Sequence, residues 1–244
     1  MLSVIVDDAR DPVRNLALDE ALARAGSATP LLRVWQNAPS VVVGRFQNVG
    51  RSVDMAACAR DGIPIVRRAT GGGAVYIDPG CLIVTLVCSR SGPPPELGEV
   101  MATTVEGFGL PAHAVRGETI TMAGLRTRHA VLVHGVLRVT TVRSYGPGYL
   151  PGDPPRTLVE HGLAKWDREI GLDAVRAAIF EAAADRYGPA VARPPNSAEL
   201  ACRDRLLDSR YQDITWHLSG SARTGVQEVG SIWGDLSHRL AGME

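Results

Sequence analysis

Between residues 67 and 78 the chain reads Arg67-Arg68-Ala69-Thr70-Gly71-Gly72-Gly73-Ala74-Val75-Tyr76-Ile77-Asp78. Three consecutive glycines follow two arginines and lead into an apolar alternation. Glycine tolerates φ > 0 and lets another group come close to the backbone. Successive exposed amides in such a turn can hold a carboxylate or a phosphate. The arginines add fixed positive charge and forked donors. The segment therefore reads as an anion-binding turn running into a strand. The alternative is a plain hairpin turn with two surface arginines.

The elements around it alternate. Asp11-Pro12 opens a helix, Leu16, Ala17 and Leu22 give it a buried stripe, and Gly26 ends it. Leu31 to Trp35 and Val41 to Val43 are short β-rich runs separated by the turn cluster Asn37-Ala38-Pro39-Ser40. Ser52 caps a helix stopped by Gly62, and Ile63 to Val66 is a buried strand delivering the arginines. Ala74 to Ile77 and Leu82 to Val87 form two strands joined by Asp78-Pro79-Gly80-Cys81. A helix from about Pro95 to Gly107 precedes strands at His113 to Val115, Glu118 to Met122 and Ala130 to Val139. A Gly/Pro-rich loop occupies 144–155. Amphipathic helices follow at Leu172 to Tyr187 and Ser197 to Ser209, and Tyr211 to Leu218 reads as a last strand. This order predicts an α+β fold, mostly antiparallel sheets flanked by helices. One catalytic domain is expected over 1–218, with a loosely held tail over 219–244.

Composition narrows the function classes. The 244 residues carry 26 basic and 26 acidic side chains, for zero net charge. Non-specific nucleic-acid binding needs a basic face, so a nucleic-acid partner is not expected. No apolar run approaches the ~20 residues of a membrane span, and the N-terminus lacks a signal-peptide pattern. The four cysteines show no metal spacing, which suits a reduced cytoplasmic protein without a tightly bound metal. Lys165 is the only lysine.

Several ordered stretches carry a family resemblance. Arg67 to Asp78 resembles the RRxSGGGxVxHD signature of the lipoate–protein ligase, octanoyltransferase and biotin–protein ligase superfamily. Asn15 to Leu22 is similar to its first helix. Trp35 to Asn48 is similar to its W-x-N-x-P-S-V-V-x-G-x-x-Q-N stretch, and Arg126 to Gly135 to its R-x-x-x-V-L-x-H-G stretch. The resemblance implies a lipoate ligase-like catalytic domain. It would act on lipoate, octanoate or a similar carboxylic acid through an acyl-adenylate, using ATP and Mg2+, or through an acyl thioester donor. The acyl group would pass to an amine, such as the lysine of a lipoyl carrier domain. The other implied reading is a non-catalytic partner subunit that binds an acyl group or a carrier domain.

By the same resemblance Arg67 and Arg68 would face the phosphate or carboxylate. Gly71, Gly72 and Gly73 would line the acyl group, and Tyr76 would touch it. Gly44, Gln47, Thr70, Asp78, Gly124, His134 and Gly135 would complete the pocket. The sequence departs from the pattern at Ile77, where the family has histidine, and at Cys81, where it has asparagine. The lysine segment is replaced by Glu118 to Gly124, which either puts Thr119 in the lysine position or deletes the turn. Cys81 is a candidate nucleophile if Arg67 or Arg68 favours its thiolate.

Overall fold

A computed structural model describes residues 1–110, 120–140, 148–151, 162–167 and 169–221. A six-stranded sheet holds β1 (Leu2–Ile5), β2 (Leu31–Trp35), β6 (Cys81–Ser89), β7 (Ile120–Arg126), β8 (Ala130–Arg138) and β9 (Ala190–Arg193), in the order β7-β8-β6-β2-β1-β9. A three-stranded sheet holds β3 (Ser40–Val43), β4 (Ile65–Arg67) and β5 (Val75–Ile77), in the order β4-β3-β5. Pairing is antiparallel from β2 through β6 and β8 to β7, and between β3 and β5. It is parallel where β1 meets β2 and β9 and where β3 meets β4. The fold is α+β, with mixed sheets flanked by helices.

Helix α1 (Pro12–Ala25) starts where expected: the Asp11 carboxylate accepts from the Arg14 amide, and Gly26 at φ 73° ends it. It packs between the sheets, and its buried positions include Asn15, Asp19 and Glu20 besides the apolar stripe. Short helices α2 (Val49–Ser52) and α3 (Met55–Arg60) follow β3. Ser52 does not cap α3; it ends α2, and the Asp54 carboxylate takes the cap by accepting from the Ala57 amide. Helix α4 (Leu97–Gly107) and α5 (Leu172–Tyr187) cover the far face of the large sheet, packing Val100, Met101, Val175 and Ile179 on Leu32, Val84 and Leu86.

The C-terminal part differs from the sequence reading. Helix α6 (Ser197–Leu206) runs into a π-helical turn at Leu207–Tyr211, and α7 (Ile214–Ser219) replaces the expected strand. Ile214, Thr215 and Trp216 suggest a strand by residue type. The Asp213 carboxylate accepting from Thr215 and left-handed Gly220 enclose one helical turn instead. The expected strand at 113–115 and the loop at 144–155 lie outside the described residues, apart from 148–151. Of the tail, 219–221 are described.

Candidate active site

One wall of a narrow cavity is the large sheet. Arg33 pairs with Thr85, Thr85 with His134, and His134 with Ala123, so four strands contribute one row of side chains to one face. Two residues along each strand, Trp35, Ile83 and Val136 form the next row. The facing wall is Val42, Val75 and Ile77 of the small sheet, with Leu16 of α1 and Arg68 just beyond β4. Together with Ala123, His134 and Gly135 these residues enclose about 350 Å³, mouth included. The lining is aliphatic and aromatic except for Arg68 and His134.

Behind those two groups runs a buried polar chain. Arg68 Nε donates to Thr70 Oγ1 at 3.0 Å, and Thr70 Oγ1 lies 2.7 Å from His134 Nε2. His134 Nδ1 lies 3.1 Å from Asp19 Oδ2. The same carboxylate oxygen accepts from the Thr85 hydroxyl at 2.7 Å, and Thr85 accepts from Trp35 Nε1 at 3.0 Å. Arg33 Nη1 donates to Asp19 Oδ1 at 2.9 Å. Burial works to raise the Asp19 carboxyl, but the bonds from His134 and Thr85 and the charge of Arg33 outweigh it and hold the group below its ordinary value. An ionised Asp19 only accepts, so His134 carries its proton on Nδ1. In the neutral imidazole Nε2 is then an acceptor, and the Thr70 hydroxyl donates to it.

Arg68 is buried, and its donors go to oxygens of the turn. Nη1 donates to Val42 O at 3.1 Å, and Nη2 donates to Gly71 O at 2.6 Å and Gly73 O at 2.8 Å. Among the described residues no carboxylate pairs with it, and burial pulls its guanidinium down to about 10. The cation thus sits at the cavity wall with dipoles around it and no counter-charge.

Arg67 points elsewhere. It is fully buried, and its guanidinium donates to six carbonyls: Gly44, Arg45 and Gln47 on one side, and Trp216, His217 and Leu218 on the other. Its fork joins the loop after β3 to α7.

Two glycines are required by contacts. A Cβ on Gly44 would lie 2.1 Å from Gly72 O, so only glycine lets the two turns touch. Gly72 has φ +91°, and a Cβ there would meet Arg68 Nη2 at 2.9 Å. The amides of Gly71, Gly72 and Gly73 make no hydrogen bond among the described residues.

Residues 11–153 match the lipoyl protein ligase A/B catalytic domain family. The chain belongs to this family. An Aeropyrum pernix protein assigned to lipoate-protein ligase A is 31% identical over 145 residues. That match spans 53% of this chain and 54% of the relative, so the chain matches about half the length of that curated protein. Among solved structures, the T. acidophilum protein Ta0514 with bound lipoic acid has a TM-score of 0.75 at 23% identity, covering 89% of this chain and 98% of that one. A lipoate-protein ligase A bound with ATP has a TM-score of 0.75 at 24% identity, covering 88% and 98%. A T. acidophilum protein from a bipartite lipoate protein ligase, described with its E2 lipoyl domain, has a TM-score of 0.73 at 21% identity, covering 92% and 98%. These likenesses carry the fold.

Within this lipoyl ligase fold the sequence-predicted residues separate. Arg68, His134 and Gly135 line the cavity, and Thr70 stands directly behind them. Tyr76 does not touch the cavity. Strand alternation sends Val75 and Ile77 inward and Tyr76 to the opposite face, where it packs on Tyr149 at 5.3 Å between ring centroids. Gln47 closes its own turn by accepting from the Gly44 amide at 2.8 Å. Asp78 shapes the β5–β6 hairpin by accepting from the Gly80 amide at 2.8 Å. Gly124 is exposed on β7, and its neighbour Ala123 takes the lining position. Thr119 lies outside the described residues.

Cys81 is not placed as a nucleophile. Its thiol is buried against Ile77 and Ile83, and burial together with the nearby Asp78 charge pushes it up to about 12. The sequence reading missed Asp19, Trp35 and Thr85. One signal was present: Asn15 and Asp19 sit four apart on α1, among Leu16, Ala17 and Leu18, so both share one face of the helix. Among the described residues no cluster of histidine, cysteine or carboxylate side chains is arranged to hold a metal, and no helix is long and apolar enough to cross a membrane.

Proposed function

We propose that this chain activates or transfers a medium-chain carboxylic acid, lipoate or octanoate, and delivers the acyl group to an amine. The observation that carries the reading is Arg68, a buried cation that no carboxylate of the described residues pairs with, at the wall of an apolar cavity. Keeping a charge away from water is costly unless an opposite charge joins it, and a slim fatty acid supplies both the chain and the charge. The amides of Gly71, Gly72 and Gly73 beside it, which have no hydrogen-bond acceptor among the described residues, suit the phosphate of an acyl-adenylate. ATP, bringing Mg2+ with it, is the proposed activating substrate, a reading supported by the structural relative bound with ATP. An acyl thioester is the alternative donor. The acceptor is a carrier-domain lysine, in keeping with the bipartite ligase described with its lipoyl domain.

A second reading is a binding subunit that moves no acyl group itself. It is favoured by the single lysine, Lys165, which lies in none of the segments that line the cavity. Incubation with ATP, Mg2+ and octanoate or lipoate, followed by mass spectrometry, separates the two. Acyl-AMP from the wild-type chain and none from Arg68→Met is the expected result. Acyl-AMP formed equally well by the variant would sink the placement of the acid.

A further inference from the structure

A chain that passes an acyl group to an amine must remove a proton from nitrogen, and no lysine of this chain lies in a segment lining the cavity. We infer that His134, which lines the cavity, takes that proton in a relay with Asp19, which holds the imidazole ready. The inference rests on the acyl-transfer reading above and deepens it.

The proton order follows from the acceptor at the end of the chain. Asp19 accepts at one oxygen from both Thr85 and His134 Nδ1. Nε2 must then accept, and Thr70 Oγ1, 2.7 Å away, gives it the hydroxyl proton. One lone pair of Thr70 Oγ1 takes the Arg68 Nε–H, and the other is uncommitted among the described residues. The base is thus hydrogen-bonded to a hydroxyl on one side and to an orienting carboxylate on the other, the arrangement that makes an imidazole an effective proton acceptor. Among the described residues the charged or polar groups facing His134 are the following. Asp19 comes from α1 with Arg33 of β2 behind it, Thr85 from β6, and Thr70 and Arg68 from the turn after β4; Ala123 on β7 adds none.

In the transfer step the amine nitrogen bonds to the acyl carbon. The bond from that carbon to the adenylate oxygen, or to the thioester sulfur, breaks and its electron pair leaves with AMP or thiolate. The nitrogen proton passes to Nε2 of His134, which lines the cavity, displacing the Thr70 hydroxyl as its donor. The resulting imidazolium is held by Asp19.

The test uses the full chain with octanoyl thioester, or octanoate plus ATP and Mg2+, and a lysine-containing carrier peptide. His134→Gln is expected to lower kcat for amide formation about 100-fold or more, with KM within about threefold. The pH profile of kcat should differ between wild type and variant, the acidic limb of the wild-type profile being absent in the variant. Asp19→Asn should lower kcat in the same direction; because it can also disturb folding, nitrogen NMR of the wild-type imidazole gives an independent readout. It should show the proton on Nδ1. A proton on Nε2, or normal transfer with an unchanged pH profile in His134→Gln, overturns the relay alone. Wild-type protein that binds octanoate but forms no amide from either donor overturns the relay together with the enzyme reading.

Discussion

Asp19 shows how one buried residue serves both stability and site. It neutralises Arg33 and orients His134, so it belongs at once to the core and to the cavity wall. Replacing it with asparagine removes one partner of a buried pair, a change that typically costs about 3–5 kcal/mol. The pH dependence has a definite sign. The folded state holds the Asp19 carboxyl below its ordinary value of 3.8. Its contribution is therefore complete above that value and disappears as pH falls through the folded value. Denaturant unfolding of wild type and Asp19→Asn should show a constant stability gap from pH 7 to 5 that narrows below about pH 4. A gap that stays constant down to pH 3 would mean that Asp19 stabilises through shape and not through charge. At this scale the sequence was only partly legible. Arg68 and His134 stand out as polar residues in apolar surroundings. Asp19 was hidden because its partners come from β2, β6 and β8, and their register depends on loops that no local pattern specifies.

Among elements, the arginine pair divides its labour by one residue of strand geometry. Arg67 is the last residue of β4 and turns toward α7, whereas Arg68 lies just past the strand and turns under the glycines. The two look alike in the sequence, and only the position of α7 decides which one can meet a ligand. That helix was itself misread as a strand because its residue types favour β structure while its caps favour a helix. The six carbonyls around Arg67 come from the loop after β3 and from α7, so the side chain joins these two elements. Arg67→Met would leave those buried oxygens unsatisfied and lose hydrogen bonds to a charged donor, each worth about 1.5–3 kcal/mol. The expected outcome is a loss of at least about 3 kcal/mol of stability and faster hydrogen exchange at residues 44–47 and 214–219 together. Exchange increased at one segment only would show that the arginine does not couple them.

At the scale of the molecule, the two sheets leave a cavity that is apolar nearly throughout and carries a cation, Arg68, that no carboxylate among the described residues compensates. The turn chemistry and most elements up to residue 110 were legible, because glycine, proline and capping residues act locally. The cavity was not, since it exists only once Trp35, Ile83 and Val136 of one sheet face Val42, Val75 and Ile77 of the other. Ligand binding and stability are linked there. A ligand at 100 times its Kd adds about 2.7 kcal/mol, which for a chain of this length raises Tm by roughly 5–10 °C. Octanoate supplies the missing charge and octanamide, of the same shape, does not. Wild-type protein should therefore show a larger Tm shift with octanoate than with octanamide at equal concentration. In Arg68→Met the carbonyls of Val42, Gly71 and Gly73 lose their donor, so the unliganded protein should melt lower, and the difference between the two ligands should vanish. Equal shifts in the wild type would mean that the cavity reads only the hydrocarbon chain. The dipoles around Arg68 would then be sufficient compensation for its charge, and the anion would have to be held by the glycine amides alone.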